Sequence, residues 1–291
     1  MRYKLRLLVT YTFYRPSGGG RQLLRIRPAE LAGVQRVISA DLVATPAGAE
    51  QRKFRDFFGT SVTEVVMPPG LMKLSFEMKA RIERIARVEG LDISPPLTRL
   101  AAEIAGQHML GPEAPHHFLP ASPRIPQVPE IAEFAREAVV GAATVREAVE
   151  RLGLALYKAM KFDARATEVD TPIAVAFAGR EGVCQDFSQI MIAGLRSLGI
   201  PGAYVAGFLR TLPPKGKKRL VGADAMHAWV RAWTGTDGAW VEYDPTNACF
   251  VGQDHIVVGY GRDYSDAAPV TGMLRLDGRQ SGSHSVDIVE D

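Results

Sequence analysis

The chain has 291 residues, 46% of them hydrophobic and 23% charged, with a formal net charge of +3. That length and composition give one large globular domain or two of ordinary size, and the small positive charge gives no footprint for a nucleic-acid partner. Two cysteines without a CxxC, an N-terminus whose charges interrupt its apolar residues, and no apolar stretch long enough for a bilayer exclude a disulfide framework, a signal peptide and a membrane span. A cytoplasmic protein with no membrane partner is expected, and a reducing cytoplasm would keep a reactive thiol free.

Residues 1–92 read as an N-terminal β-rich domain. Tyr3, Leu5, Leu7, Val9, Tyr11 and Phe13 alternate with Lys4, Arg6, Thr10 and Thr12, which predicts a half-buried strand. Gly18-Gly19-Gly20 makes a turn, and a strand begins at Leu23. Further strands are expected near 33–44, 62–67 and 71–88, the last with a helical alternative. Residues 93–127 form a proline-rich, ordered connector with one short helix near 97–106. The remainder, 128–291, reads as a core with C-terminal strands. A helix starts at Pro129, and Thr144-Val145-Arg146-Glu147 is a capping box that opens another. A short helix follows Thr171-Pro172. The next helix begins near Cys184 and ends at Gly199, with Phe187, Ile190, Met191, Gly194, Leu195 and Leu198 as its buried stripe. Strands are expected at 203–210, 226–233, 239–244 and 255–260, and the tail from Gly272 reads as a final hairpin. One helix packed on an antiparallel sheet is an α+β arrangement.

Three of these residues carry chemistry. Cys184 sits in the first turn of its helix, where unpaired N–H groups and the helix dipole favour a thiolate and could hold an oxyanion. Gly182 gives the chain freedom to turn just before it. A turn centred between Gly235 and Thr236 sets His227 directly opposite Asp244, with Cβ atoms roughly 4.5–5.5 Å apart. The carboxylate would then orient the imidazole, and the imidazole would serve the thiol as base.

With those residues in view, the chain resembles the transglutaminase-like superfamily. Gly182-Val183-Cys184-Gln185-Asp186-Phe187 is similar to its nucleophile segment, His227-Ala228-Trp229-Val230 to its histidine strand, and Trp240-Val241-Glu242-Tyr243-Asp244-Pro245-Thr246 to its aspartate strand. Tyr11-Thr12-Phe13, Asp56-Phe57-Phe58-Gly59 and Gly261-Arg262-Asp263-Tyr264-Ser265-Asp266 extend the likeness to bacterial members with an N-terminal β domain. Thr60 departs from the asparagine expected after that glycine. The resemblance implies a papain-like core after an antiparallel β domain. It also implies a catalytic Cys184, His227 and Asp244 acting on peptide or glutamine-type amides through a thioester, as peptidase, amidase or transglutaminase. No cofactor and no metal are called for. Some members have lost catalysis, so a silent peptide-binding scaffold is the alternative. An acetyl transferase using a thioester cofactor is a third reading, without a segment to support it.

The remaining candidates are weaker. Tyr157 is a candidate second oxyanion donor, and Trp229 either lines an acyl cleft or belongs to the core. Arg262, Asp263 and Tyr264 either shape a substrate pocket or pin a loop by an Arg–Asp pair. Asp186 is read as structural, in the first helical turn. Cys249 reads as buried and inert. His116-His117 lack a third ligand at metal spacing, and His255 is left without a role. The basic run Pro213 to Arg219 is a solvated loop tip or an attractor for an acidic substrate.

Overall fold

The computed structural model describes residues 1–46, 50–86, 90–211 and 224–291. The basic run at 213–219 lies outside the described residues.

The first strand, β1 (Arg2–Phe13), buries Tyr3, Leu5, Leu7, Val9 and Phe13 and turns its charged residues outward. The strands β2 (Gly20–Leu24), β3 (Gln35–Thr45), β4 (Glu50–Arg55), β5 (Ser61–Met67) and β6 (Lys73–Arg84) follow. In β6 Leu74, Phe76, Met78, Ala80 and Ile82 are buried at every second position, a strand period that decides against the helical alternative over Lys73–Arg84. Two four-stranded antiparallel sheets result, and their inner faces share one core of residues such as Leu5, Leu7, Leu24, Val65, Phe76 and Met78.

Each of these sheets takes an outer strand from the far end of the chain. β14 (Val270–Leu274) pairs with β2, and β15 (Gln280–Glu290) pairs with β1 along its length. The tail is therefore not a hairpin, and the sandwich does not close at residue 92. Ile288 and Val286 are buried in the sandwich core.

The connector holds α1 (Leu97–Ala105) and one 3₁₀ turn at Pro115–Phe118. Its order has a visible cause. The Arg196 guanidinium donates to the carbonyls of Phe118, Pro120, Gly202 and Arg262 and to the Ser122 hydroxyl. Burial lowers its pKa to about 10, against the raising effect of Asp263.

The core follows with α2 (Pro129–Ala138), α3 (Val145–Ala159), α4 (Ile173–Gly179) and α5 (Cys184–Ser197). The Thr144 hydroxyl caps α3 by accepting from the Glu147 N–H. The short strands β7 (Lys161–Phe162) and β8 (Glu181–Gly182) pair in parallel just before α5. A five-stranded antiparallel sheet runs in the order β12-β11-β10-β9-β13. Its strands are β9 (Gly202–Leu209), β10 (Ala225–Trp233), β11 (Trp240–Asp244), β12 (Cys249–Phe250) and β13 (His255–Gly261). The one-turn helix α6 (Tyr264–Ala267) precedes β14.

α5 is buried at every position from Gln185 to Leu195. It carries more than the expected stripe, because helices α2, α3 and α4 enclose it opposite the sheet. Close approach on that side depends on Gly194, where a Cβ would meet Leu152 and Ala135 at 3.1 and 3.2 Å. On the sandwich side, Phe208, Ile256 and Val258 join the sandwich core, and the Gln35 side chain bonds to both the N–H and the carbonyl of Val257. The N-terminal unit thus braces the sheet along β13.

Candidate active site

Cys184 is half-buried at the N-terminus of α5. The first turn is fixed by the Asp186 carboxylate, which accepts from the Val183 N–H at 2.8 Å and the Thr167 hydroxyl at 2.6 Å. Burial raises the Asp186 pKa against those bonds. Gly182 serves this contact rather than chain freedom, since its backbone is outside the left-handed region. A Cβ there would lie 2.7 Å from the Asp186 carboxylate. Cys184 and Gln185 are the first residues of α5, so their N–H groups have no intrahelical acceptor. Asp186 therefore has the structural role its first-turn position suggests.

His227 and Asp244 meet by a different register from the expected one. Val230 lies opposite Tyr243, and Trp233 opposite Trp240. The turn is centred between Thr236 and Asp237, one residue later than its composition suggests. It is closed by Thr234 N–H to Ala239 C=O and Ala239 N–H to Gly235 C=O. Gly235 at φ 100° and Ala239 at φ 52° make this longer connection possible. Moving a turn centre by one residue shifts the pairing by two, which changes the opposed residue and preserves the face. His227 and Asp244 are thus diagonal neighbours on one face, and His227 Nε2 lies 2.7 Å from Asp244 Oδ2.

Asp244 is fully buried and collects five donors. Oδ2 accepts from His227 Nε2, from His255 Nε2 at 3.0 Å and from Asn247 Nδ2 at 2.7 Å. Oδ1 accepts from the N–H groups of Thr246 and Asn247. The two oxygens of one carboxylate thus divide the work, Oδ1 capping the turn after β11 and Oδ2 holding the histidines. Burial raises its pKa, but the bonds to His227 and His255 outweigh that and hold it well below the usual carboxylate range.

The tautomers follow from the partners. The Gly252 N–H points at His255 Nδ1 (3.4 Å), so His255 gives its Nε2 proton to Asp244. His227 likewise gives Nε2–H to Asp244, so Nδ1 is the ring nitrogen that Asp244 does not hold. Burial disfavours a charge on His227, but hydrogen bonds and charge from Asp244 and Cys184 push its pKa up to about 10. The three metal-ligand-type atoms of His227, Asp244 and His255 lie within 4.8 Å of one another, and two N–H donors converging on one oxygen account for that spacing.

The other candidates separate. Trp229 is fully buried and no cleft residue. Its ring lies 6.1 Å from that of His227 and edge-on to His255 at 5.2 Å, and its indole N–H goes to Glu242. Tyr157 is exposed on α3, which disfavours an oxyanion role. Arg262 pairs with Asp266 rather than Asp263. Asp263 is fully buried, caps α6 through Ser265 and accepts the Arg124 N–H. Those two residues pin a loop. Tyr264 packs on the same core as Cys184, edge-on to Tyr204 at 6.2 Å, and burial raises the Tyr204 pKa. Cys249 is exposed, contrary to expectation, because β12 is a two-residue strand at the sheet edge. Partial burial of its sulfur and the Asp244 charge raise its pKa. His116 and His117 bond to the carbonyls of Gln107 and Leu110. His255 and Asn247 are the members of the Asp244 cluster that sequence reasoning passed over. The only hint of the first was its position at the start of a strand two elements after His227.

Comparison with known proteins agrees with this architecture. The family model for the bacterial transglutaminase-like N-terminal region matches residues 3–83, and that for the transglutaminase-like superfamily matches residues 132–245. An uncharacterized protein of Mycobacterium tuberculosis is 32% identical over 261 residues, covering 88% of this chain and 82% of its own. An uncharacterized protein of Mycobacterium leprae is 45% identical over 111 residues, 37% of this chain and 36% of its own. A crystal structure described as a putative cysteine protease from Cytophaga hutchinsonii has a TM-score of 0.75 at 22% identity, covering 99% of this chain and 90% of that one. At that identity the likeness speaks to the fold.

Proposed function

Given that the chain belongs to the transglutaminase-like superfamily, we propose that it is a cysteine-dependent enzyme that cleaves peptide or glutamine-type amides through a thioester on Cys184. The observation that carries this reading is the His227 ring, tied to Asp244 through Nε2 and raised in proton affinity by both Asp244 and Cys184. A solved protein described as a putative cysteine protease shares the fold.

The chemistry follows from that arrangement. His227 is the favoured seat of the proton it shares with the sulfur. The sulfur attacks the amide carbonyl carbon, and the oxyanion forms against the free N–H groups at the start of α5. As the C–N bond breaks, His227 gives its Nδ1 proton to the departing nitrogen, and the thioester remains. A water or an amine then attacks the thioester, returns a proton to His227 and releases the sulfur. Asp244 keeps the imidazole in one tautomer throughout.

Cys249 supplies an internal control. It is the more exposed of the two cysteines, so accessibility alone favours its labelling. Limiting iodoacetamide at neutral pH should modify Cys184 first, and incubation with a library of peptide amides should add an acyl mass at Cys184. Labelling confined to Cys249, with no acyl adduct, would favour the silent scaffold.

A further inference from the structure

Asp244 has two imidazoles rather than one. His255 comes from β13, which two strands separate from the β11 strand end that carries Asp244, in the sheet order β11-β10-β9-β13. It is 5% exposed, and its Nε2 reaches the same oxygen that holds His227. Trp229 packs against both rings. A buried histidine needs some partner, but a backbone carbonyl would suffice. Here the partner is the one oxygen on which the proposed general base depends. The position is held from both sides, by the Gly252 N–H on Nδ1 and by the edge of Trp229.

We propose that His255 is a positioning residue that divides the Asp244 carboxylate with His227 and so limits how tightly that carboxylate holds the His227 proton. The inference rests on the function proposed above. A carboxylate oxygen that accepts several strong bonds spreads its charge among them. Each donor on Oδ2 besides His227 therefore weakens the pull on the His227 ring. His227 has to return its proton to a leaving amine, and a lone carboxylate partner would hold that proton too firmly.

Other charged or titratable groups nearby are already engaged or are constant across the test. Cys184 faces His227 from α5. Cys249 on β12 pairs with Asp244 in the ladder. Glu242 on β11 is bound to Trp229 and Tyr260. Asp254, next to His255, is bound to Arg210 and Tyr3. Arg84 of the sandwich reaches the Gly252 carbonyl.

The test needs no substrate. Iodoacetate is an anion drawn by the protonated ring, so its rate with Cys184 falls when His227 deprotonates, and that basic limb reports the His227 proton. His255→Leu removes a donor and should move the limb up by on the order of one pH unit. His255→Gln returns an N–H near the Nε2 position and should bring the limb back. Asn247→Ala removes a different donor from the same oxygen and should move the limb the same way by less. A merely structural histidine would lower the melting temperature and leave the limb where it was. Unmoved limbs in His255→Leu and Asn247→Ala overturn the proposal, as does a Gln variant that behaves like Leu. If His255→Leu fails to fold, His255→Phe, which keeps a ring of similar size without an N–H, takes its place with the same expected rise of the limb. Absence of preferential labelling at Cys184 in the unaltered protein sinks the proposed function itself, and the positioning role with it. A preferentially labelled Cys184 with unmoved limbs sinks the positioning role only.

Discussion

The sandwich and the central sheet use polar residues in opposite ways. Along β1, buried and outward residues alternate, and Arg6 and Lys4 meet Glu77 and Asp291 in solvent-facing pairs. Along β13 every residue is buried, and so is nearly all of β9, because the sandwich braces the sheet on one side and α5 packs on the other. The charged groups along β1 therefore face water. A polar group in the central sheet has to find its partner inside the protein or carry a large desolvation cost. His227, Asp244 and His255 are a solution to that requirement before they are anything else. The proposed chemistry uses bonds that burial would have demanded anyway.

This contrast can be broken or sharpened in order of expected effect. Cys184→Ala should abolish amide turnover, by on the order of 10⁵–10⁶, and leave the unfolding free energy within about 1 kcal/mol of the original. Steady-state assay with the peptide found by acyl trapping, together with urea unfolding, checks both. Asp244→Asn should cost about 10⁴ in turnover and also destabilise the fold, since the five donors then meet a neutral amide.

The pH dependence of stability separates the partners further. The folded pKa of His227, about 10, is raised above its ordinary 6.5. Its stabilising effect is therefore complete below pH 6.5 and lost as pH rises through about 10. Asp244 is shifted down from its ordinary 3.8, so its effect is present above that pH and fades as pH falls through its low folded value. Thermal melts of the unaltered protein should decline toward both extremes. Asp244→Asn should flatten the alkaline decline, and an unchanged alkaline slope would detach it from this pair.

Two smaller changes complete the series. Gly182→Ala should push a methyl into the Asp186 carboxylate and destabilise by about 1–3 kcal/mol, read by urea unfolding. Arg6→Ala, which breaks the exposed pair with Glu77, should change stability by no more than about 0.5–1 kcal/mol. A larger loss would mean that the sandwich surface is not as tolerant as its exposure indicates.

Sequence reasoning reached the parts of the molecule whose causes are local. β1 and β6 were legible from alternation, α3 from Thr144 and Glu147, and the Cys184 position from a glycine, a helix stripe and a stop at Gly199. It failed where distant chain decides. The burial of Ser188 and Gln189 reflects helices on one side of α5 and a sheet on the other, which no helical period records. The turn Thr-Gly-Thr-Asp-Gly admits more than one centre, and contact of Gly235 with Pro95 of the connector bears on which is used. The face shared by His227 and Asp244 was nevertheless legible, because the error was an even number of residues. β4 escaped notice because all six of its residues are exposed and it offers no apolar period. The pairing of His255 with Asp244 depends on sheet order. A bulge between Val257 and Gly259 blurs the alternation of β13 as well.

The pairing of β15 with β1 bears on synthesis. β1 lies between β6 and a strand made much later, with Phe13 opposite Gln280 and Tyr3 opposite Glu290. While translation proceeds, one hydrogen-bonding edge of that early strand stays open, with Leu5, Leu7 and Val9 only partly covered. Sealing of the sandwich is thus postponed until the whole sulfur-bearing half has emerged. A translation product that stops short of residue 280 would present a long adhesive edge to its neighbours.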